Sequence, residues 1–545
     1  MLRCVFGACL VILIAGCAAT EIPFPEQTQQ SLQLADRKLE SCRAALDTIQ
    51  ETISSQQRQD AGEQKVERFP YLRTDRMLAT LANANLSDTQ QQQLFALLEK
   101  RGRFAFQSEV RNLPPISRQQ LSDKLHEWFP DRGPEQIITL CTRYLAENEL
   151  QAQPMADYVL SRLRVDDHYK TWQRIIGLYY LTLFPVLMGV DNWHDETLAI
   201  FDQPVSELPV AGELQRYTIE KSDQPLSQQQ AAETLRSARS NPLQLPLPDD
   251  RQRQQLFSRY APVFEIDMAS NDDRIGTPYW PSPKAAIPDI NIRQPVVYTR
   301  LSHVIFSGEV LLQLNYAIWF PARPCQGIFD ILCGHIDGLI WRVTLANDGT
   351  PLLFDSIHSC GCYHQFFPTP ALALKQNEDW LREPVLVPKK LPNINADKQV
   401  VVRLAHTSHY IEAVTIENKN AATALNTDIV PQQRYDTLRS ITIDGNHNRS
   451  MFDASGLVPG TQRPERFILW PMGVPSPGAM RQWGTHATAF VGRRHFDEPC
   501  LIEELFTTEP EPVSQRSKHQ FLANGIYPGV CRKKTTHSFS EENTE

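Results

Sequence analysis

The sequence predicts an α+β protein, with an N-terminal α-helical domain followed by a mainly antiparallel, β-sandwich-like domain. Three observations carry this. Between residues 67 and 204, capping residues precede apolar stripes at helical spacing. Between Val310 and Phe320, large apolar residues recur at every second position and alternate with Gln313 and Asn315, the period of a strand. Between the two lies a change of composition at 205–255, rich in Pro, Gln and Ser, with Pro242, Pro246 and Pro248 close together. The expected layout is a leader at 1–16, a tether and first helix at 17–66, a helical domain at 67–204, a linker at 205–255, a β domain at 256–506 and a tail at 507–545.

The first residues read as an address. Arg3 gives a short positive start, Val5 to Ile14 an apolar run, and small residues precede Cys17. The run is too short to cross a bilayer and fits a cleaved signal. Leu13-Ile14-Ala15-Gly16-Cys17 resembles the lipobox of bacterial lipoproteins. The resemblance implies cleavage before Cys17, lipidation (palmitate or another acyl chain) of that residue, and a membrane partner reached through the lipid anchor. Ala18 is not the Asp that resembles an inner-membrane retention signal. The expected location is therefore the outer membrane, with the body periplasmic or surface-exposed.

In the helical half, Ser31 to Ser54 is rich in Gln, Leu, Ala and Glu. Ser87 with Gln90, and Ser117 with Gln120, have the spacing of capping boxes. Pro134 suits the first position of a helix whose buried stripe is Ile137, Ile138, Cys141, Tyr144 and Leu145. Ile175 to Val190 is the most apolar stretch after the leader; it reads as a buried helix broken at Pro185, or as a segment dipping into a membrane.

In the β half, Val310, Leu312, Leu314, Tyr316, Ile318 and Phe320 alternate with Gln313 and Asn315, as a half-buried strand requires. Leu339, Trp341, Val343 and Leu345 alternate with Arg342 and Thr344. Asn347-Asp348-Gly349 supplies a turn, and Leu352 to Ile357 returns. Val400 to Ile416 is expected as one further strand, and Leu438 to Ile443 and Phe467 to Trp470 as shorter ones.

Centring the hairpin near Asp348 sets His335 opposite roughly Gly361, Asp337 opposite Ser359 and Cys333 opposite Tyr363. Cys333, His335 and Asp337 then gather beside His358, Cys360, Cys362 and His364. The last four occupy one face of an extended strand and span about 20 Å, so they meet one ion only if the chain bends, as Gly361 allows. One expectation is a divalent metal (zinc or calcium/magnesium) held by His335, Asp337, His358 and His364. The other is a hairpin end stapled by disulfides, with the histidines hydrogen-bonded nearby.

The cysteine count bears on this choice. There are eleven cysteines. Once Cys4, Cys9 and Cys17 are set aside, Cys42, Cys141, Cys325, Cys333, Cys360, Cys362, Cys500 and Cys531 remain, an even number that reads as disulfides in an oxidising envelope. Cross-strand geometry pairs Cys325 and Cys333 with Cys360 and Cys362, above all Cys333 with Cys362.

Tyr260-Ala261-Pro262, Tyr316 to Pro321, Gly334-His335-Ile336-Asp337, Asp348-Gly349-Thr350-Pro351 and Ser356-Ile357-His358 resemble, in that order, the necrosis-inducing-protein superfamily and related vacuolar-sorting-associated β-sandwich proteins. The resemblance implies a metal at His335 and Asp337 beside a cleft for a headgroup or sugar. Gly338-Leu339-Ile340 stands where the family carries further acidic residues.

Other chemistry is missing. The formal charge is −9 with 21 % charged residues, so nucleic acid is not expected as a partner. Motifs of zinc peptidases, serine hydrolases, nucleotide enzymes and c-type haem do not occur. What is expected is an envelope lipoprotein that binds a glycan, a lipid headgroup or an envelope protein; the alternative is a metal-dependent hydrolase.

Overall fold

The computed structural model describes residues 37–508, apart from 222–224, 377–378, 380, 420–424 and 426, together with 526–527 and 529–531. The leader, Cys17 and nearly all of the expected tail lie outside the described residues.

The chain opens with helices α1 (Arg37–Ser55), α2 (Arg76–Ala82), α3 (Asp88–Arg111), α4 (Pro115–Leu125), α5 (Pro134–Glu149) and α6 (Gln153–Arg162), with a hairpin of β1 (Gln64–Val66) and β2 (Phe69–Thr74) after the first. Ser87 and Gln90 cap each other at the start of α3, as their spacing requires. Ser117 does not cap: α4 begins two residues earlier, because Pro115 takes a first-turn position where its missing N–H costs nothing. α3 lies close on β2, and a Cβ at Gly102 would sit 2.0 Å from the Tyr71 carbonyl oxygen. A disulfide joins Cys42 of α1 to Cys141 of α5. This core is shared: Leu243, Leu245, Ile305, Val310 and Tyr527 pack into the same cluster as the helices.

Two further helices follow, α7 (Thr171–Ile176) and α8 (Tyr179–Phe201), the second with Pro185 inside it. The stretch expected as a linker, 205–255, instead contains strand β3 (Glu213–Ile219), helix α9 (Gln228–Ala238) and the first residues of α10 (Asp250–Tyr260). Its polar composition misleads because Arg216 is neutralised inside the fold by Glu265 and Glu417, at 2.7 and 2.9 Å.

The remaining strands are β4 (Val263–Met268), β5 (Thr277–Tyr279), β6 (Asp289–Asn291), β7 (Val297–Phe306), β8 (Glu309–Arg323), β9 (Gly334–Leu345), β10 (Pro351–His358), β11 (Gln365–Pro368), β12 (Leu372–Leu374), β13 (Lys398–Leu404), β14 (Ile411–Asn418), β15 (Thr427–Val430), β16 (Gln432–Arg434), β17 (Ile441–Thr442), β18 (Asn448–Arg449) and β19 (Phe506–Thr508). The short helices α11 (Glu465–Ile468) and α12 (Leu501–Leu505) lie late in the chain. A six-stranded sheet has the order β11-β10-β9-β8-β7-β16, and a five-stranded sheet the order β14-β13-β4-β3-β15. Their facing residues, among them Leu314, Tyr316, Trp341, Phe264 and Val402, form one core. The α+β class is therefore as expected. Pairing is antiparallel except at β13–β4, β15–β3 and β16–β7.

The expectation of half-buried strands fails. Trp319, Ile340 and Ile357 on the second face of the large sheet are covered by Met451, Val458, Met480 and Phe496 from the irregular chain that follows β16. The alternating polar residues are therefore inside and bond within the sheet: Gln313 donates to the Thr344 hydroxyl, and Asn315 to the Arg300 carbonyl. Val400 to Ile416 is two strands, since the chain reverses at 405–410 with Thr407 and His409 at positive φ. Residues 465–468 are helical, and 435–439 form a 3₁₀ turn ahead of the two-residue β17, where strands were expected.

Candidate functional site

The Asn347-Asp348-Gly349 turn forms as the sequence indicates, with Gly349 at φ +78°. The register differs by one residue: His358 faces Leu339, and the strands shift between Pro351 and Leu353. More consequential is where β10 stops. It ends at His358, and Gly361 at φ +94° turns the chain back, so that β11 pairs with β10. His358, Cys360, Cys362 and His364 therefore share no strand face.

The disulfides follow. Cys325 joins Cys333, and Cys500 joins Cys531, while Cys360 and Cys362 are free. The expected bridges from Cys325 and Cys333 to Cys360 and Cys362 are thus overturned. Cys333 precedes the first residue of β9, on the loop that carries Cys325, where the two Cα atoms are 4.8 Å apart.

Those two thiols form a pair. The Cys362 amide donates to the Cys360 sulfur at 3.4 Å. Burial raises the Cys360 thiol, but a hydrogen bond from Cys362 and the charge of Arg463 outweigh it and bring it below its ordinary value. The same hydrogen bond, reinforced by burial, pushes Cys362 well up.

Asp337 is the centre of a buried polar cluster. Its carboxylate accepts from the Gly338 amide at 2.9 Å, from Arg463 at 3.2 Å and from His409 Nδ1 at 2.9 Å. Gly338 is required beside it, because a Cβ there would lie 2.7 Å from Ser359 Oγ and 2.9 Å from the Ile318 carbonyl oxygen. Burial opposes ionisation of Asp337, yet Arg463, His358 and His409 hold it well below the carboxylate range. His358 Nδ1 stands 3.4 Å from Asp337, close enough for ionic attraction but not aligned as a hydrogen bond. Burial lowers His358 despite Asp337. His409 stacks on Phe320 at 3.8 Å and turns its Nε2 towards Asp273 at 3.5 Å. Burial works against its charge, but Asp273 and Asp337 together raise it. Asp273, opposed by burial but hydrogen-bonded by its neighbours, falls to about 2.

His364 belongs to a second arrangement. Its Nε2 is 2.8 Å from Asp355, which Arg342 clamps through Nε at 2.9 Å and through Nη2. All three side chains are at most 1 % exposed. Burial raises Asp355, but Arg342 and His364 lower it overall. Burial brings His364 down to about 4, so the ring is neutral. A carboxylate accepts only, so Nε2 carries the proton and Nδ1 the lone pair. Nδ1 is buried and has no partner.

The expected metal ligands are therefore divided. Asp337 and His358 are neighbours, His364 belongs to Asp355, and His335 Nε2 is at the Pro288 carbonyl oxygen, 2.7 Å away. Among the described residues no group of three or more His, Cys, Asp or Glu side chains is placed to hold a metal ion. The donor set does not fit a shared ion. His409, Asp273, Arg463, Asp355 and Arg342 were not recognised in the sequence as members of these arrangements. A cue was available for one: Asp355 lies on the same alternating strand as His358.

Beside the second arrangement, with His364 in its lining, lies a cavity of about 410 Å³. Pro185, Val186, Gly189 and Trp193 of α8 form one wall, and Cys362, Tyr363 and His364 face them; Ala487 to Phe490 line another side. Around its rim the surface is apolar. Trp172, Ile175, Ile176, Tyr180, Leu181 and Met188 of α7 and α8 are 55–70 % exposed, and Phe467 and Ile468 of α11 are 72 % and 60 % exposed. The Cys325–Cys333 loop adds Ile328 and Phe329, at 93 % and 88 %, while its Ile331 and Leu332 line the cavity. The helix expected from Ile175 to Val190 thus exists, but one face of it is not buried; its inner face packs through Tyr179 and Leu183 on Met472 and Val491.

No family model, curated protein or solved structure matches the chain.

Proposed function

We propose that this is an envelope lipoprotein, anchored through Cys17 at the outer membrane, which rests its α7–α8 face on the bilayer and binds an amphiphile in the adjoining cavity. The observation that carries this is the outward face of residues 171–190. Arg174 is the sole charged residue of that stretch. It is turned inward, donating to the Met472 and Gly492 carbonyl oxygens at 2.8 and 2.7 Å. What remains outside is large aliphatic side chains with Trp172 and Tyr180, the composition of a segment lying in a membrane interface. So large an apolar patch on a soluble body marks a contact surface. Among the described residues no helix is long and apolar enough to cross a membrane. The chain between Cys17 and Arg37 reaches at most about 70 Å when extended, which keeps the body within reach of the bilayer that holds the anchor.

Of the partners expected from the sequence, this surface favours lipid over glycan or protein. A metal-dependent hydrolase has less support, since His335 and His364 are committed to other partners.

Vesicle flotation of the full chain carrying Cys17→Ser, which lacks the anchor, tests the proposal. It should float with phosphatidylethanolamine/phosphatidylglycerol vesicles. Adding Leu181→Glu and Met188→Glu should lower partitioning by about tenfold or more, given about 1.5–3 kcal/mol for each large apolar side chain withdrawn from lipid. Equal flotation of both proteins would refute it.

A further inference from the structure

We infer that the disulfide-closed loop between β8 and β9 is a second membrane contact, a preset wedge that puts Ile328 and Phe329 below the lipid headgroups. The inference rests on the membrane-facing proposal above and adds to it an element that the helices do not supply.

Ile328 and Phe329, at 93 % and 88 %, are the most exposed large apolar side chains among the described residues. They are neighbours at the tip of the loop, with Gln326 and Gly327 exposed before them. Asp330 is the only ionisable residue between Cys325 and Cys333. Two adjacent apolar side chains held almost wholly in water gain the most from any apolar medium that reaches them. The loop that presents them is tied down. It closes the β8–β9 hairpin directly beyond the Arg323–Gly334 pair, and the Cys325–Cys333 bridge holds its two ends. The Asp330 carboxylate accepts from the Gln326 and Leu332 amides at 3.1 and 2.9 Å, and the Ile331 carbonyl from the Glu465 amide at 3.2 Å. Backbone groups satisfied in this way lower the cost of leaving water. A tip already ordered also loses little conformational freedom on insertion.

The loop is continuous with the α7–α8 face. The hydrogen bond between Glu465 and Ile331 joins it to the start of α11, whose Phe467 and Ile468 are exposed. Two residues beyond α11, the Trp470 ring meets Trp172 of α7 edge-on, with centroids 5.7 Å apart. On the inner side, Ile331 and Leu332 of the loop line the same cavity as Pro185 and Val186 of α8. Exposed apolar side chains therefore follow one another from the loop through α11 to α7. A protein partner would need a pocket shaped to the projecting tip, whereas the fluid acyl region of a bilayer needs none. Gln326 and Asp330, on either side of the tip, then fall at headgroup depth, where polar groups stay hydrated.

The full chain carrying Cys17→Ser, with Phe329→p-benzoylphenylalanine, is irradiated with phosphatidylethanolamine/phosphatidylglycerol vesicles. A lipid adduct on the peptide that holds residue 329 is the expected result. In flotation, Ile328→Ser with Phe329→Ser should lower partitioning about tenfold or more, the worth of two apolar side chains kept out of lipid. Cys325→Ser with Cys333→Ser keeps both side chains but releases the loop, and should lower partitioning by a smaller factor. The tip replacements fall on exposed positions, so their urea midpoint should equal that of the parent. Flotation of the Ile328→Ser, Phe329→Ser chain equal to its parent's, no adduct at residue 329, or no effect of removing the bridge would overturn the inference. If that happens while Leu181→Glu with Met188→Glu still reduces flotation, the α7–α8 proposal stands without the wedge. If the Cys17→Ser chain does not float at all, both fall. Sedimentation without vesicles covers a second copy as occupant: self-association lost on replacing Ile328 and Phe329 would assign the tip to a protein contact and overturn the wedge.

Discussion

Asp337→Asn should cost about 3–5 kcal/mol of stability, the usual effect of removing one partner from a buried ion pair. Asp337 and Arg463 are both 0 % exposed. Asparagine keeps the shape and an oxygen for the Gly338 amide, so the charge is what is lost. Arg463 then loses its ion-pair partner, and its Nε and Nη1 already lack hydrogen-bond partners. His409, 2.9 Å from Asp337, loses one of its two carboxylates. Replacing the pair together is far milder, because an apolar side chain needs no counter-charge; Asp337→Asn with Arg463→Met should recover at least about half of the loss. Equilibrium unfolding in urea at pH 7, followed by the fluorescence of buried tryptophans, among them Trp319 and Trp341, measures the parent, both single variants and the double variant. A loss below about 1 kcal/mol for Asp337→Asn would mean that the cluster is solvated or otherwise neutralised. Strict additivity of the two substitutions would mean that the residues do not interact.

Two more predictions follow from geometry already given. His409 is raised in the folded protein, so its contribution is complete below about pH 6.5, the unfolded value, and is lost as pH rises through the higher folded value; unfolding midpoints should fall across that interval for the parent and stay flatter for His409→Gln, and parallel curves would refute the assignment. Gly102→Ala forces a methyl group against the Tyr71 carbonyl, so it should destabilise by about 1–3 kcal/mol or more despite alanine's better helix propensity, seen as a lower denaturant midpoint.

The class of fold was legible because periodicity is local. Leu312 to Phe320 announces a strand by itself, Asn347-Asp348-Gly349 announces its turn, and Ser87 with Gln90 announces a helix start. Turns made without glycine were not legible: His406 to His409 reverses the chain through Thr407 and His409 at positive φ, and nothing in Ala-His-Thr-Ser-His-Tyr advertises it. Nor was β3, since a buried Arg216 looks like a solvated one until Glu265 and Glu417 are seen beside it. At the site, His358, Asp337, Cys362 and His364 attracted notice by density alone. Their actual partners come from Asp273, Asp355, His409 and Arg463. Such pairings depend on where each strand ends: Asp337 and His358 stay neighbours, while the turn at Gly361 gives His364 to Asp355.

The mixed core of the helical half has a consequence in time. Its last helix, α6, ends at Arg162, yet the core is completed by Ile305 and Val310, and by Tyr527 near the far end of the chain. At about 5–20 residues per second, synthesis delivers Tyr527 on the order of tens of seconds after α6. Throughout that interval the early helices carry an open apolar groove, and neither their own caps nor the Cys42–Cys141 bridge can shield it. Exposed apolar surface of that kind is what makes a partly synthesised chain prone to aggregate.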